Sequence, residues 1–194
     1  MTDLLFDEAA HAYTRQGIPL PSVTQVLKAE GVIDDSFYPP GAAARGTAVH
    51  RLCARLDEGA LWPEDVNAET DEVLAYFAGY EAFRRETDFA PLLVEHRLAY
   101  GMDYAGTLDR VGTLNGRTVL FDIKTGGLPR WGGLQTAAYL LALATEKHSF
   151  ELPRDRFIIQ LTREGRYKLW PVNGARDAET FLALVRVYQW KRDR

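Results

Sequence analysis

Two aspartates and a lysine stand where a hairpin would bring them together. Asp109 precedes the dipeptide Asn115-Gly116, Asp122 follows it, and Lys124 comes two residues later. Asn-Gly between two strand-like runs signals a two-residue type I′ turn, because both turn positions need positive φ. Such a turn sets a register in which Leu114 faces Arg117, Thr113 faces Thr118, Gly112 faces Val119 and Asp109 faces Asp122. Both carboxylates then lie on one sheet face with Cβ atoms ~5 Å apart. Lys124 shares that face, because side chains alternate along a strand. Phe121 and Ile123 point the other way, into a core.

Like charges directly opposed on a sheet are unfavourable, so a fold gains nothing from this pair. A divalent cation reverses the sign, since Mg²⁺ takes hard oxygen ligands and commonly one or two carboxylates with phosphate oxygens. A neighbouring lysine can orient a water or stabilise charge on the phosphate. Two carboxylates, a metal and a lysine together suit phosphodiester hydrolysis. Glu95 is a natural third ligand. If Gly101-Met102-Asp103 forms a three-residue loop, Tyr100 faces Tyr104 and Glu95 faces Asp109; an even-numbered loop without a bulge would turn Glu95 to the wrong face. Surface carboxylates and a solvated lysine are the plain alternative for each residue alone. The aligned set, flanked by apolar Val119-Leu120-Phe121, favours the functional reading.

The elements needed to position these residues are legible. His11 to Leu20 reads as a short hairpin around Arg15-Gln16-Gly17. Ser22 and Gln25 have capping-box spacing, predicting a helix over 22–30 that stops at Gly31. Pro39-Pro40-Gly41 breaks the chain, and helices follow over 42–58 and 70–86 at three- and four-residue apolar spacing. Strands are expected at 93–100, 104–114 and 117–124, then a helix over 134–145, a hairpin of strands at 157–162 and 167–172, and a helix over 177–191. The order predicts an α/β domain, a central mixed sheet with antiparallel hairpin strands flanked by helices. One domain over 1–194 is expected: an N-terminal hairpin and helices in 1–90, a core in 91–172 and a C-terminal helix in 175–194.

The bulk numbers agree with a globular chain. Of 194 residues, 46% are hydrophobic and 26% charged, a length and composition sufficient for one sizeable core. No apolar run approaches the ~20 residues that span a bilayer. The acidic start, Asp3 to Glu8, lacks the basic region of a signal peptide, so a cytoplasmic protein with no membrane partner is expected. A single cysteine, Cys53, cannot form an internal disulfide or a four-cysteine iron–sulfur site. The net charge of −4 weighs against a broad basic surface for duplex nucleic acid.

These residues resemble the PD-(D/E)XK superfamily, and within it the RecB-type nuclease domains. Gly106-Thr107-Leu108-Asp109 is similar to that group's G-x-x-D segment, and Asp122-Ile123-Lys124 to its D-x-K strand. Arg45-Gly46-Thr47-Ala48-Val49-His50 resembles the upstream G-x-x-x-H helix, and Gln135-Thr136-Ala137-Ala138-Tyr139 the Q-x-x-x-Y helix. Each motif is short; their order over residues 45–139 is specific. The resemblance implies a restriction-endonuclease-like core and metal ligation by Asp109, Asp122 and the Ile123 carbonyl. It further implies Glu95 and His50 as additional ligands or water holders, and Lys124 as the catalytic lysine. Gln135 and Tyr139 are implied to bind nucleic acid or to support the site. The nearest likeness is to stand-alone phage-type and mitochondrial genome-maintenance-type exonucleases, and the implied cofactor is Mg²⁺ or Mn²⁺, without an iron–sulfur cluster.

The loop Gly126 to Gly133 leaves the catalytic strand. Arg130 and Trp131 in it could grip phosphate and stack a base, or the loop could be a plain connector. Arg45 is a further phosphate candidate. The resemblance implies a metal-dependent DNA exonuclease, and the few, partly aromatic candidate contacts favour single-stranded ends. The alternatives are an endonuclease on the same core and a non-catalytic DNA-end-binding module.

Overall fold

The computed structural model describes residues 4–8, 10–34, 36 and 38–193. Three short strands come first: β1 (Leu4–Asp7), β2 (Ala12–Arg15) and β3 (Ile18–Leu20). Helices α1 (Val23–Ala29), α2 (Ala42–Asp57), α3 (Pro63–Asn67) and α4 (Asp71–Glu86) follow. Then come β4 (Ala90–Tyr100), β5 (Tyr104–Leu114), β6 (Arg117–Lys124), α5 (Gly132–Leu143), β7 (Asp155–Leu161), β8 (Tyr167–Pro171) and α6 (Asp177–Arg192). The expected hairpin is β2–β3, but β1 pairs with β2 to make a three-stranded antiparallel sheet. The helix α3 is also additional; at five residues, opened by Pro63, it is too short to show a period.

The main sheet has the order β4-β5-β6-β7-β8. Neighbours are antiparallel except β6 and β7, which run parallel and are joined through α5. Asn115 and Gly116 have φ of 50° and 72°, the positive values a type I′ turn requires. The ladder runs from Leu114↔Arg117 to Arg110↔Phe121 in the expected register. Tyr100 pairs with Tyr104, so Gly101-Met102-Asp103 is the three-residue loop. Strand β4 begins earlier than expected, at Ala90, because a bulge between Pro91 and Leu93 carries the pairing past the proline.

Alternation along β6 divides the core in two. Val119, Phe121 and Ile123 pack with Val49 and Leu52 of α2 and Phe77 and Phe83 of α4. Leu120 packs with residues of α1, α5 and α6, among them Leu27, Ala138 and Phe181. The sheet is therefore covered on both faces, an α/β sandwich with the architecture expected. Ser22 closes the start of α1 with a reciprocal box: Gln25 N–H donates to Ser22 Oγ at 3.0 Å, and Ser22 N–H to Gln25 Oε1 at 2.8 Å. Among the described residues no helix is long and apolar enough to cross a membrane.

Candidate active site

The main sheet opens at the aspartates. The β5–β6 ladder stops at Arg110↔Phe121, one rung short of them. There Asp109 Oδ2 accepts the Ile123 N–H at 2.6 Å, so a side chain takes the place of a backbone bond. Asp122 pairs instead along β7, opposite Ile158. On the other side of β5, pairing skips from His96↔Leu108 to Val94↔Arg110, and the omitted rung is Glu95 with Asp109. Glu95 has φ of 44°, left-handed backbone that a non-glycine residue rarely adopts within a strand. Strain of this kind persists where surrounding contacts over-determine it.

Those contacts are electrostatic. His50, on α2, places Nδ1 3.6 Å from Glu95 Oε1 and 3.6 Å from Asp109 Oδ1. One ligand atom from each of His50, Glu95 and Asp109 falls within 4.8 Å of the others. His50 Nε2 also lies 3.0 Å from the Ile123 carbonyl oxygen. That carbonyl, implied as a ligand by the resemblance, is thus engaged by the histidine. Burial opposes a charge on His50, but the Asp109 charge and the Glu95 contact outweigh it and push its pKa up to about 9. Burial, with repulsion from Asp122 and Glu95, pushes Asp109 up to about 7 against the pull of His50. For Glu95 burial works upward, yet His50 and Arg110 hold it below the usual carboxylate range.

Asp122 is 1% exposed. Lys124 Nζ lies 2.7 Å from its Oδ2, an ion pair without hydrogen-bond alignment, and neither carboxylate oxygen accepts a hydrogen bond among the described residues. Buried acceptors are normally satisfied. A buried carboxylate with only the Lys124 ammonium beside it, next to three convergent N and O ligand atoms, fits a divalent cation. Lys124 is itself held from two sides. Its Nζ donates to Gln135 Oε1 at 3.0 Å and lies 5.1 Å from the centre of the Trp131 ring. Gln135 Nε2 in turn donates to the Tyr139 hydroxyl at 2.9 Å. Burial works against the Lys124 charge, but Asp122 and Asp109 raise its pKa above the ordinary value. Gly106 makes room for this chain: a Cβ there would come within 2.7 Å of the Tyr139 ring.

A cleft of about 700 Å³ gathers His50, Glu95, Asp109, Asp122, Lys124, Gln135 and Tyr139 on its walls. Three residues expected to touch nucleic acid lie elsewhere. Arg45 donates to the Thr125 carbonyl at 3.1 Å, pairs with Glu72 at 3.3 Å and lies over Tyr76; its guanidinium braces α2 to neighbouring segments. Trp131 is half-buried against the core and under Lys124, so its ring orients the lysine. Arg130 is exposed on the loop outside the cleft. Gln135 and Tyr139 do reach the cleft, but their polar atoms are directed at Lys124 and each other.

Residues that the sequence reading passed over hold Glu95. Arg110, 0% exposed, donates from Nη1 to Glu95 Oε1 at 2.9 Å and to the Asp109 carbonyl at 2.6 Å. Its Nε binds Asp57 Oδ2, which also accepts the Tyr80 hydroxyl at 2.6 Å, while Arg84 pairs with the other Asp57 oxygen. The available signal was an arginine at an inward position of β5, next to the buried Val111.

A covered mixed sheet, with buried carboxylates and a lysine where two strands part, is the framework of a metal-dependent nuclease. The sequence model of the PD-(D/E)XK nuclease superfamily matches residues 62–187, and the chain belongs to that superfamily. The match covers Glu95, Asp109, Asp122, Lys124, Gln135 and Tyr139; His50 lies before it. No curated protein matches the chain.

Proposed function

We propose that the protein is a Mg²⁺- or Mn²⁺-dependent DNA exonuclease acting on single-stranded ends, with His50, Glu95, Asp109 and Asp122 as the metal-holding set. The observation that carries this reading is the buried Asp122 carboxylate, paired only with Lys124, beside the His50–Glu95–Asp109 cluster. When bound, a divalent cation supplies Lewis-acid polarisation of the phosphate and neutralises the carboxylates. Lys124 presents its ammonium into the same cleft, where it can donate to a phosphoryl oxygen or orient the attacking water. Gln135, Tyr139 and Trp131 keep that ammonium in place, so they act through Lys124. Arg110 fixes Glu95 and lowers the cost of its negative charge.

The single-strand reading rests on the lining of the cleft. Among the described residues, Lys124, Arg51 and Arg97 are the lysine and arginine side chains that line it, few for a duplex, whose affinity rests on many phosphate contacts. The test is a time course with end-labelled linear single strands, closed single-stranded circles of the same sequence and blunt duplex. Metal-dependent, progressive loss of linear strands with circles spared is expected. Rapid nicking of circles would show an endonuclease, faster digestion of duplex would reverse the strand preference, and unchanged turnover in EDTA would remove the metal role.

A further inference from the structure

The cleft continues past the metal-holding cluster to a second wall, made by the small sheet β1–β3 and the outer part of β4. Phe6, Glu8, His11, Tyr13, Arg97 and Thr107 line it. Tyr13 is buried, and its hydroxyl meets the Thr107 hydroxyl at 2.7 Å, which fastens the small sheet to β5 two residues before Asp109. Phe6 packs on Tyr13 with ring centres 4.6 Å apart, and His11 meets Phe6 edge-on at 5.3 Å. His11 is exposed and has φ of 48°, so the turn after β1 holds an imidazole outward in left-handed backbone.

Arg97 completes this wall. It follows Glu95 by two residues on β4, a rise of roughly 6–7 Å along a strand. Its guanidinium lies over the Phe6 ring, 5.1 Å from the centre. Its acidic partner is Glu8, 3.6 Å away, with the two side chains 48% and 83% exposed. An ion pair so open to water contributes little, and it leaves the cation free to exchange partners. The contrast with Arg110 is plain: one arginine is fully buried, with Nε and Nη1 on carboxylates and a carbonyl, and the other lies over a ring with half its side chain exposed. A guanidinium held over an aromatic ring, beside an outward imidazole, matches one unpaired nucleotide. Arginine forks onto phosphate oxygens, and aromatic faces take bases of any identity.

Resting on the nuclease reading above, we propose that this wall is a nucleotide subsite: Arg97 binds the phosphate next to the scissile one, and the outward His11 imidazole, held in place by Phe6, stacks the unpaired base attached to it. A base inside a duplex has no free face to offer, so the subsite selects single strands. The small sheet thereby supplies substrate selection, and the main sheet supplies chemistry.

The experiment uses the full chain and oligo-dT carrying one 2-aminopurine near its end, with Ca²⁺ replacing Mg²⁺ or Mn²⁺ to slow turnover. Stacking in the subsite quenches the 2-aminopurine signal, and His11→Ala and Phe6→Leu remove most of the quench; His11 is exposed, and leucine keeps apolar volume at position 6. In turnover assays Arg97→Ala raises KM for linear single strands about tenfold with a smaller effect on kcat, and Arg97→Lys recovers only part, because a lysine cannot fork or stack as arginine does. An abasic residue in place of the stacked base raises KM in the parent and abolishes the further effect of His11→Ala. Unchanged quench and KM in folded Arg97→Ala and His11→Ala proteins would overturn the subsite, as would equal quenching of a duplex probe. If the parent cleaves no DNA with Mg²⁺ or Mn²⁺, the nuclease reading fails, and the 2-aminopurine signal still decides the subsite independently.

Discussion

Asp57 and Asp122 are both carboxylates removed from water, with side chains 0% and 1% exposed, yet their surroundings are opposite. Asp57 Oδ2 accepts from the Tyr80 hydroxyl and from Arg110, and its Oδ1, which has no aligned hydrogen bond, faces the Arg84 guanidinium. Asp122 has one ammonium near one oxygen, and no aligned hydrogen bond on either. Burying an ionised carboxylate costs several kcal/mol unless it is paired and hydrogen-bonded. Asp57 meets that cost within the fold. Asp122 has the single Lys124 ammonium toward that cost, and the proposed metal would supply the rest. Depth of burial does not separate the two acids; what surrounds them does, with two guanidinium groups and two hydrogen bonds at Asp57 against one ammonium at Asp122.

The sharpest break of this comparison is to delete each acid. Asp122→Ala is expected to lower cleavage by at least about 10³-fold, the scale of losing a main electrostatic element of a site, while circular dichroism and the melting curve stay near those of the parent. Asp57→Ala is expected to cost about 3–5 kcal/mol in denaturant titration, because it strands the buried Arg110 charge. Normal cleavage by folded Asp122→Ala, or an unperturbed fold in Asp57→Ala, would reverse the assignments.

A smaller effect separates the lysine from its holders. Gly106→Ala drives a Cβ against the Tyr139 ring, and Gln135→Ala removes the acceptor of Lys124. Each is expected to lower kcat about tenfold, with KM nearly unchanged and metal affinity retained, since loosening a positioned group commonly costs one to two orders of magnitude. Calorimetric Mn²⁺ titration beside steady-state kinetics checks this. A KM effect without a kcat effect would assign Gln135 to substrate contact.

The smallest expected effect is the pH slope of stability. Asp109 is raised to about 7 and His50 to about 9, so the folded metal-free protein holds protons that the unfolded chain has released. Stability then falls as pH rises, from the unfolded aspartate range near ~4 through about 7 for Asp109, and from ~6.5 through about 9 for His50. Metal needs the deprotonated ligands, so saturating Mn²⁺ opposes the fall, contributing about 2.7 kcal/mol at one hundred times Kd. Thermal melts at pH 6 and 8.5, with EDTA and with Mn²⁺, read both signs; a metal-free protein that melts higher at pH 8.5 contradicts the scheme.

Much of the core was legible because hairpin registers follow from short-range rules. Asn115-Gly116 predicts its own turn, and parity carries that register back to Arg110 and, through the three-residue loop, to Glu95. The spacing could not say that the ladder would stop one rung early, because the Asp109–Ile123 bond is a local side-chain competitor to the backbone. Strand β1 was missed for a related reason: four residues without clear alternation become a strand only when β2 offers an edge. Arg45 and Trp131 looked like substrate contacts because arginine and tryptophan suit that role in general. Arg45's partners, Thr125 and Glu72, are far away in sequence, and Trp131 meets the nearby Lys124 only because the loop between them folds back over the end of β6.

Sequence alone pointed to the family through its ordered motifs, and to the strand order around the turn and the carboxylates and lysine that share one wall of the cleft, because turn chemistry and side-chain alternation act over a few residues. Tertiary structure decided which charges are closed and which are open. Arg110 and Arg97 have the same side chain on adjacent strands; one is sealed by Asp57 of α2 and Glu95, and the other lies on Phe6 of the small sheet, facing the cleft. That difference depends on long-range packing, where the desolvation of each charge and the partners available to it are set by elements tens of residues away.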